Sequence, residues 1–148
     1  MSISIKIILP FLISFGLSVQ AFAKTKESIE LNGFKNAVEN TQYVAKVKIT
    51  KIETFNEDNG LDKHVYFAKV LATFKGKELE QINYHMFVER GEDAVFNSTP
   101  VYVALCVDSE GTYCWPGTGS QFAATPVLKA WLIKNNLNDM DSTESWCN

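Results

Sequence analysis

Residues 42–55 alternate in parity. Tyr43, Ala45, Val47 and Ile49 fall on one side, against Val44, Lys46, Lys48 and Thr50 on the other. Period two with β-branched residues predicts a half-buried strand. The parity slips after Ile49, since the next apolar residue is Ile52. A β-bulge near Thr50–Lys51 absorbs such a slip and bends the strand. The cluster Asn56-Glu57-Asp58-Asn59-Gly60 predicts a turn, with Asn59-Gly60 supplying its positive φ angles. Further strands are predicted over 64–74, 82–88 and 101–107, the last opened by Pro100.

Ser109-Glu110-Gly111 fits a three-residue hairpin loop into a fifth strand. That register sets Val107 opposite Tyr113 and Cys106 opposite Cys114. Trp115-Pro116-Gly117-Thr118-Gly119-Ser120 then ends the strand, because proline cannot donate to a ladder. Two helices flank the strands. Residues 27–39 carry Ile29, Phe34, Ala37 and Val38 at mixed helical spacing, with Ser28 as candidate N-cap. Thr125 is the candidate N-cap of a final helix with Pro126 at its first position and Val127, Leu128, Ala130, Trp131 and Leu132 as its apolar face. The tail from Asn135 to Asn148 is polar apart from Trp146 and Cys147. Five closely spaced strands between two helices predict a mainly β fold, a small barrel or open sheet with mostly antiparallel pairing.

The N-terminus changes what counts as the folded chain. Lys6 precedes an apolar run from Ile7 to Leu17, and Ala21-Phe22-Ala23 precedes Lys24. A basic start, a short apolar core and small residues at the −3 and −1 positions are the pattern of a secretory signal peptide, with cleavage expected between Ala23 and Lys24. The core of about 11 residues is too short to span a bilayer, which needs about 20. The expected organisation is a signal peptide at 1–23 and one domain at 24–148, delivered to a bacterial periplasm or the medium, with no membrane anchor after cleavage. Of the 148 residues 125 then remain, with 13 basic against 17 acidic side chains, a net charge of −4. That balance speaks against holding nucleic acid by bulk charge. A composition of 46% hydrophobic and 21% charged residues excludes a disordered chain.

Candidate chemistry is sparse. Export implies an oxidising compartment, so two of Cys106, Cys114 and Cys147 are expected to be bonded. Cys106–Cys114 is the first expectation, since the hairpin register opposes them, with Cys114–Cys147 and Cys106–Cys147 as alternatives. His64 and His85 lie on different strands outside any ligand spacing, so neither a metal nor a cofactor is expected. Gly117-Thr118-Gly119-Ser120 lacks the lysine of a phosphate loop and reads as a wide turn. Glu89, Glu92 and Asp93 read as a solvated loop beside Arg90. Glu89 with His85 makes a poor acid–base pair, and no residue is expected to be catalytic. Tyr113, Trp115 and Phe122 surround the glycine-rich turn, where aromatics form either an exposed binding patch or a plug over the core.

Tyr43-Val44-Ala45-Lys46-Val47, with Val65-Tyr66-Phe67-Ala68-Lys69-Val70 running to Phe74-Lys75-Gly76, resembles the bacterial exported TIMP-like or netrin-like domains. Val101-Tyr102-Val103-Ala104-Leu105 followed by Gly111-Thr112-Tyr113 is similar to that family's last hairpin. The resemblance covers about residues 35–122. It implies a five-stranded OB-like antiparallel barrel with flanking helices. The eukaryotic inhibitors of the group insert an N-terminal cysteine into a protease's zinc site, but no cysteine precedes Cys106 here. That inhibitory chemistry is therefore not carried over. The leading expectation is an exported non-catalytic binding module for a protein or glycan partner, ahead of an enzyme inhibitor and a small periplasmic hydrolase.

Overall fold

The structure, a computed structural model, describes residues 17–117, 119–140 and 143–147, with side chains from Thr25 onward except that of Asp139. Most of the expected signal segment, including its apolar run from Ile7 to Leu17 except for Leu17 itself, lies outside the described residues. The first helix, α1, runs Leu17–Asn40. It starts well before the expected Ser28 cap, because Gln20 to Glu27 holds good helix formers and neither glycine nor proline. The expected cleavage point falls inside it. At its C-terminus the Thr41 hydroxyl donates to the Ala37 carbonyl at 2.7 Å. The Lys75 ammonium donates to the carbonyls of Val38 and Thr41, placing a cation where the helix dipole is negative.

Six strands follow: β1 Tyr43–Asn56, β2 Leu61–Lys75, β3 Gln81–Glu89, β4 Val101–Val107, β5 Tyr113–Cys114 and β6 Gln121–Ala123. The helix α2 then spans Pro126–Lys134, with Thr125 at its N-cap and Pro126 in its first turn, as the sequence predicts. The register of β1 on β2 shifts between Ile49 and Lys51, which is the expected bulge. The sheet order is β1-β2-β3-β5-β4-β6, and β1 also pairs with β4. Five strands are thus hydrogen-bonded in a ring, with β6 alongside β4. The fold is mainly β with two helices. Pairing is antiparallel except that β5 runs parallel to β3, with Tyr84 beside Tyr113 and His85 beside Cys114. The sequence shows no β6, because three residues are too few for a periodic signal.

Alternation along the strands sorts two apolar clusters. Inside the ring lie Tyr43, Ala45, Val47 and Ile49 of β1, Tyr66 and Ala68 of β2, Ile82 and Tyr84 of β3, and Val101, Val103 and Leu105 of β4. Outside it, Val44, Tyr102 and Ala104 pack under Phe34, Ala37 and Val38 of α1 and Leu128 and Leu132 of α2. Strand β4 is consequently buried on both faces.

Cys106 shares the outer side with Tyr102 and Ala104, beneath α1 and the C-terminal tail. The tail is held on α1, with the Thr143 N–H donating to the Glu39 carbonyl at 3.0 Å and the Thr143 hydroxyl to Asn40 Oδ1 at 2.7 Å. The last turn, Ser145–Cys147, then brings Cys147 over Cys106. The disulfide joins these two, with Cα atoms 5.2 Å apart, and Cys114 keeps a free thiol. This corrects the first expectation. The predicted register, Cys106 opposite Cys114, is present. However, the Cys114 thiol is turned onto the Cys106 carbonyl, Sγ to O 3.7 Å, and the tail supplies the bonding sulfur.

A candidate binding mouth

Period two along β2 turns Asp62, His64 and Tyr66 to the inner side of the ring, and along β3 it turns Tyr84, Met86 and Val88 inward. His64 stands opposite Met86 and Tyr66 opposite Tyr84. The two tyrosine rings stack at 5.1 Å with planes 6° apart and close off the core at that level. Beyond them His64, Met86 and Val88 face a cavity of about 160 Å³. Its other walls are Glu92, Asp93 and Val95 of the loop after β3, Trp115 after β5, and Gln121 of β6. A more open recess of about 320 Å³ adjoins it, sharing Met86, Val88, Glu92 and Trp115 and adding Glu89 and Gly117.

The polar groups of this mouth are unevenly satisfied. The Tyr84 hydroxyl donates to Gln121 Oε1 at 3.4 Å. Burial, and then the neighbouring Tyr66, push the Tyr84 phenol far above its usual range, so it stays protonated. His64 is 1% exposed, and its Nε2 has no partner among the described residues. The same holds for the Trp115 indole Nε1. An orphaned buried polar group costs about 1–3 kcal/mol. Such groups beside a cavity are what a ligand's own donors and acceptors satisfy. The base of the loop is pinned, because Asp62 Oδ2 accepts from the Gly91 N–H at 2.9 Å and the Arg90 Nε stands 3.8 Å from Oδ1.

The three aromatics named from the sequence separate. Tyr113 packs inside the ring on Tyr43, centroids 4.9 Å apart. Phe122 packs in the outer cluster against Phe34 at 5.0 Å. Trp115 alone lines the mouth, half-buried. Phe122 is split from the other two, because β6 turns it to the outer cluster while Tyr113 and Trp115 both pack on the inner one. Glu92 and Asp93 line the cavity and Glu89 the adjoining recess. No three His, Cys, Asp or Glu side chains among the described residues are arranged to hold a metal. The turn after Gly117 serves pairing, with the buried Ser120 hydroxyl donating to the Gly117 carbonyl at 3.0 Å and the Ser120 carbonyl accepting from the Ala104 N–H at 2.8 Å.

His85, one residue out of phase with Tyr84, faces outward with its ring 5.4 Å from Phe87. Burial and then the Lys63 charge lower its pKa, against a smaller upward pull from Asp108. Cys114, beside it in the sheet, has its thiol pKa raised by burial and then by Asp108. The two histidines therefore lie on opposite sides of the sheet. The sequence points to His64 only as a histidine outside any ligand spacing, and to Gln121 not at all. His64 carried a signal, since it shares parity with Tyr66 and Ala68. Gln121 carried none, because its strand was not visible.

The chain matches no family model, no curated protein and no solved structure.

Proposed function

We propose that this protein is an exported, non-catalytic binding module of the bacterial envelope that takes a protein partner at the mouth of its ring. One observation carries the reading. The buried, unpartnered His64 Nε2 and Trp115 Nε1 line a cavity large enough for a benzene-sized group. A group inserted there relieves both orphaned atoms. The ring of five strands is read as an OB-like barrel of the TIMP-like or netrin-like kind. Support for that rests on the strand motifs over 43–76 and 101–113 and on β1 closing onto β4. Export is supported by the leader pattern of residues 1–23 and by the disulfide. The inhibitor alternative lacks its key residue, a cysteine at the mature N-terminus.

Affinity capture from an envelope fraction tests the reading, comparing the wild type with Trp115→Ala and the milder Trp115→Phe. Circular dichroism confirms that each variant folds. The expected result is a captured protein whose recovery falls in both variants. Capture that Trp115→Ala leaves unchanged would refute the mouth as the binding site.

A further inference from the structure

The mouth is acidic as well as polar. Glu92 and Asp93 stand on the wall of the inner cavity and Glu89 on that of the recess. Neither is lined by a lysine or arginine. Asp62, 5% exposed, lies at the foot of the same loop. Its only ion pair among the described residues is the long one to Arg90. The nearest lysine of β2, Lys63, points to the opposite side of the strand, where its ammonium lies 5.8 Å from the Phe87 ring centre. The remaining walls combine the aromatic and thioether side chains Tyr66, Tyr84, Trp115 and Met86 with Val88, Val95, His64 and Gln121.

Carboxylates at a rim over aromatic walls favour one kind of guest, because a low-dielectric cleft lined by one sign of charge concentrates the opposite sign. Aromatic faces hold organic cations by their quadrupoles. An anionic group would have to enter past Glu92 and Asp93 with no lysine or arginine on the wall to meet it, since Arg90 of the same loop is engaged with Asp62 and the Glu57 carbonyl. Acidic rims alone are common on protein surfaces. Here His64 adds a nearly fully buried nitrogen without a partner at the cavity wall, which a polar atom of the guest can engage. The Trp115 N–H is left to donate to a carbonyl that accompanies it.

The geometry points to an organic cation, an alkylammonium or guanidinium group, as the moiety that enters the mouth. The inference rests on the binding reading above and specifies its ligand chemistry. The cation can come from a lysine or arginine side chain of a partner or from a free amine.

The test is an NMR titration of the full chain that follows the Trp115 indole N–H resonance, assigned with Trp115→Phe. The probes are Nα-acetyl-arginine amide, putrescine and, as the anionic control, Nα-acetyl-glutamate amide. The expected result is a saturable shift with a cation, weakened at least 10-fold in E92Q/D93N and by added salt, with no saturable shift from the glutamate probe. Tighter binding of the arginine probe identifies a side-chain donor, and tighter binding of putrescine a free amine. Both substituted carboxylates are exposed, so that variant keeps its fold. A mouth that responds to neither cation, responds equally to the glutamate probe, or is indifferent to E92Q/D93N overturns the cation. If capture of a partner still depends on Trp115 in that case, the mouth binds something else. If capture is also indifferent to Trp115, the binding reading itself has failed.

Discussion

Cys106 is bonded to Cys147, 41 residues further along the chain, while the residue directly across the sheet from it is Cys114. The bond closes the C-terminal tail over the outer face of β4 and encloses both β5 and β6 and the helix α2. A loop of that length contributes about 4 kcal/mol by the loop-closure estimate. A bond between Cys106 and Cys114 would have closed a much shorter hairpin and contributed less.

Peptide mapping of the oxidised protein should recover Cys106 linked to Cys147, with one titratable thiol. The variant C147S should lose roughly 2–4 kcal/mol in denaturant unfolding. A map that places the bond between Cys106 and Cys114 would contradict the structure.

The remaining thiol should be sluggish. Burial and the Asp108 carboxylate both raise the Cys114 pKa, so little thiolate is present at neutral pH. Alkylation should be slow near pH 7 and accelerate at more alkaline pH. Asp108→Asn should shift that profile to lower pH. It removes the charge but keeps an Oδ1 to accept from the N–H groups of Glu110 and Thr112, now at 2.9 and 2.8 Å. An unchanged profile in the variant would rule out the carboxylate as a cause.

His85 should make the fold sensitive to mild acid. Its folded pKa lies below the ordinary 6.5, first because of burial and then because of Lys63. The unfolded chain therefore binds the proton more readily. Stability is full above about pH 6.5 and falls as pH drops below that value towards the folded pKa, with a slope of up to about 1.4 kcal/mol per pH unit from this group. His85→Asn should flatten that part of the stability profile. An equal slope in wild type and variant would assign the effect to other groups.

Two glycines separate backbone strain from crowding. Gly76 has φ +90°, and a Cβ there would sit 2.9 Å from Tyr43 Cδ2 and 3.1 Å from the Gln42 carbonyl oxygen. Gly111 has φ +80° with open space around it. Gly111→Ala should cost about 1–2 kcal/mol from φ alone. Gly76→Ala should cost more, since the core residue Tyr43 or the backbone must also move. Equal losses in thermal unfolding would show that the Tyr43 ring yields freely.

Local pattern carried most of the strands. Alternation placed Tyr43, Ala45, Val47 and Ile49 on one side, and those side chains fill the ring. The odd interval from Ile49 to Ile52 located the bulge, because a two-residue period cannot lose phase without an extra residue. Thr125-Pro126 marked the start of α2 through capping chemistry that acts over one turn. The start of α1 was misjudged, because Ser28 looks like a cap only if the helix-forming residues before it are set aside.

The mouth was largely hidden for the opposite reason. Trp115 was visible as an aromatic on a loop, but its companions were not. Nearness in sequence groups Tyr113 and Phe122 with it, but Tyr113 packs deeper in the inner cluster on Tyr43 and β6 turns Phe122 to the outer side. His64, Glu92 and Gln121 are separated by 28 residues or more. They converge only because β2 pairs with β3, the loop from Arg90 folds back on Asp62, and β6 returns to β4.

The amino-acid sequence alone determined the four longer strands, the bulge, the register of the 107–113 hairpin and the α2 cap, since each depends on residues within a few positions of one another. Tertiary structure decided which sulfur meets Cys106, how β5 runs beside β3, and which polar side chains share the mouth. Those outcomes depend on pairings between segments far apart in the chain, which no local pattern of residues encodes.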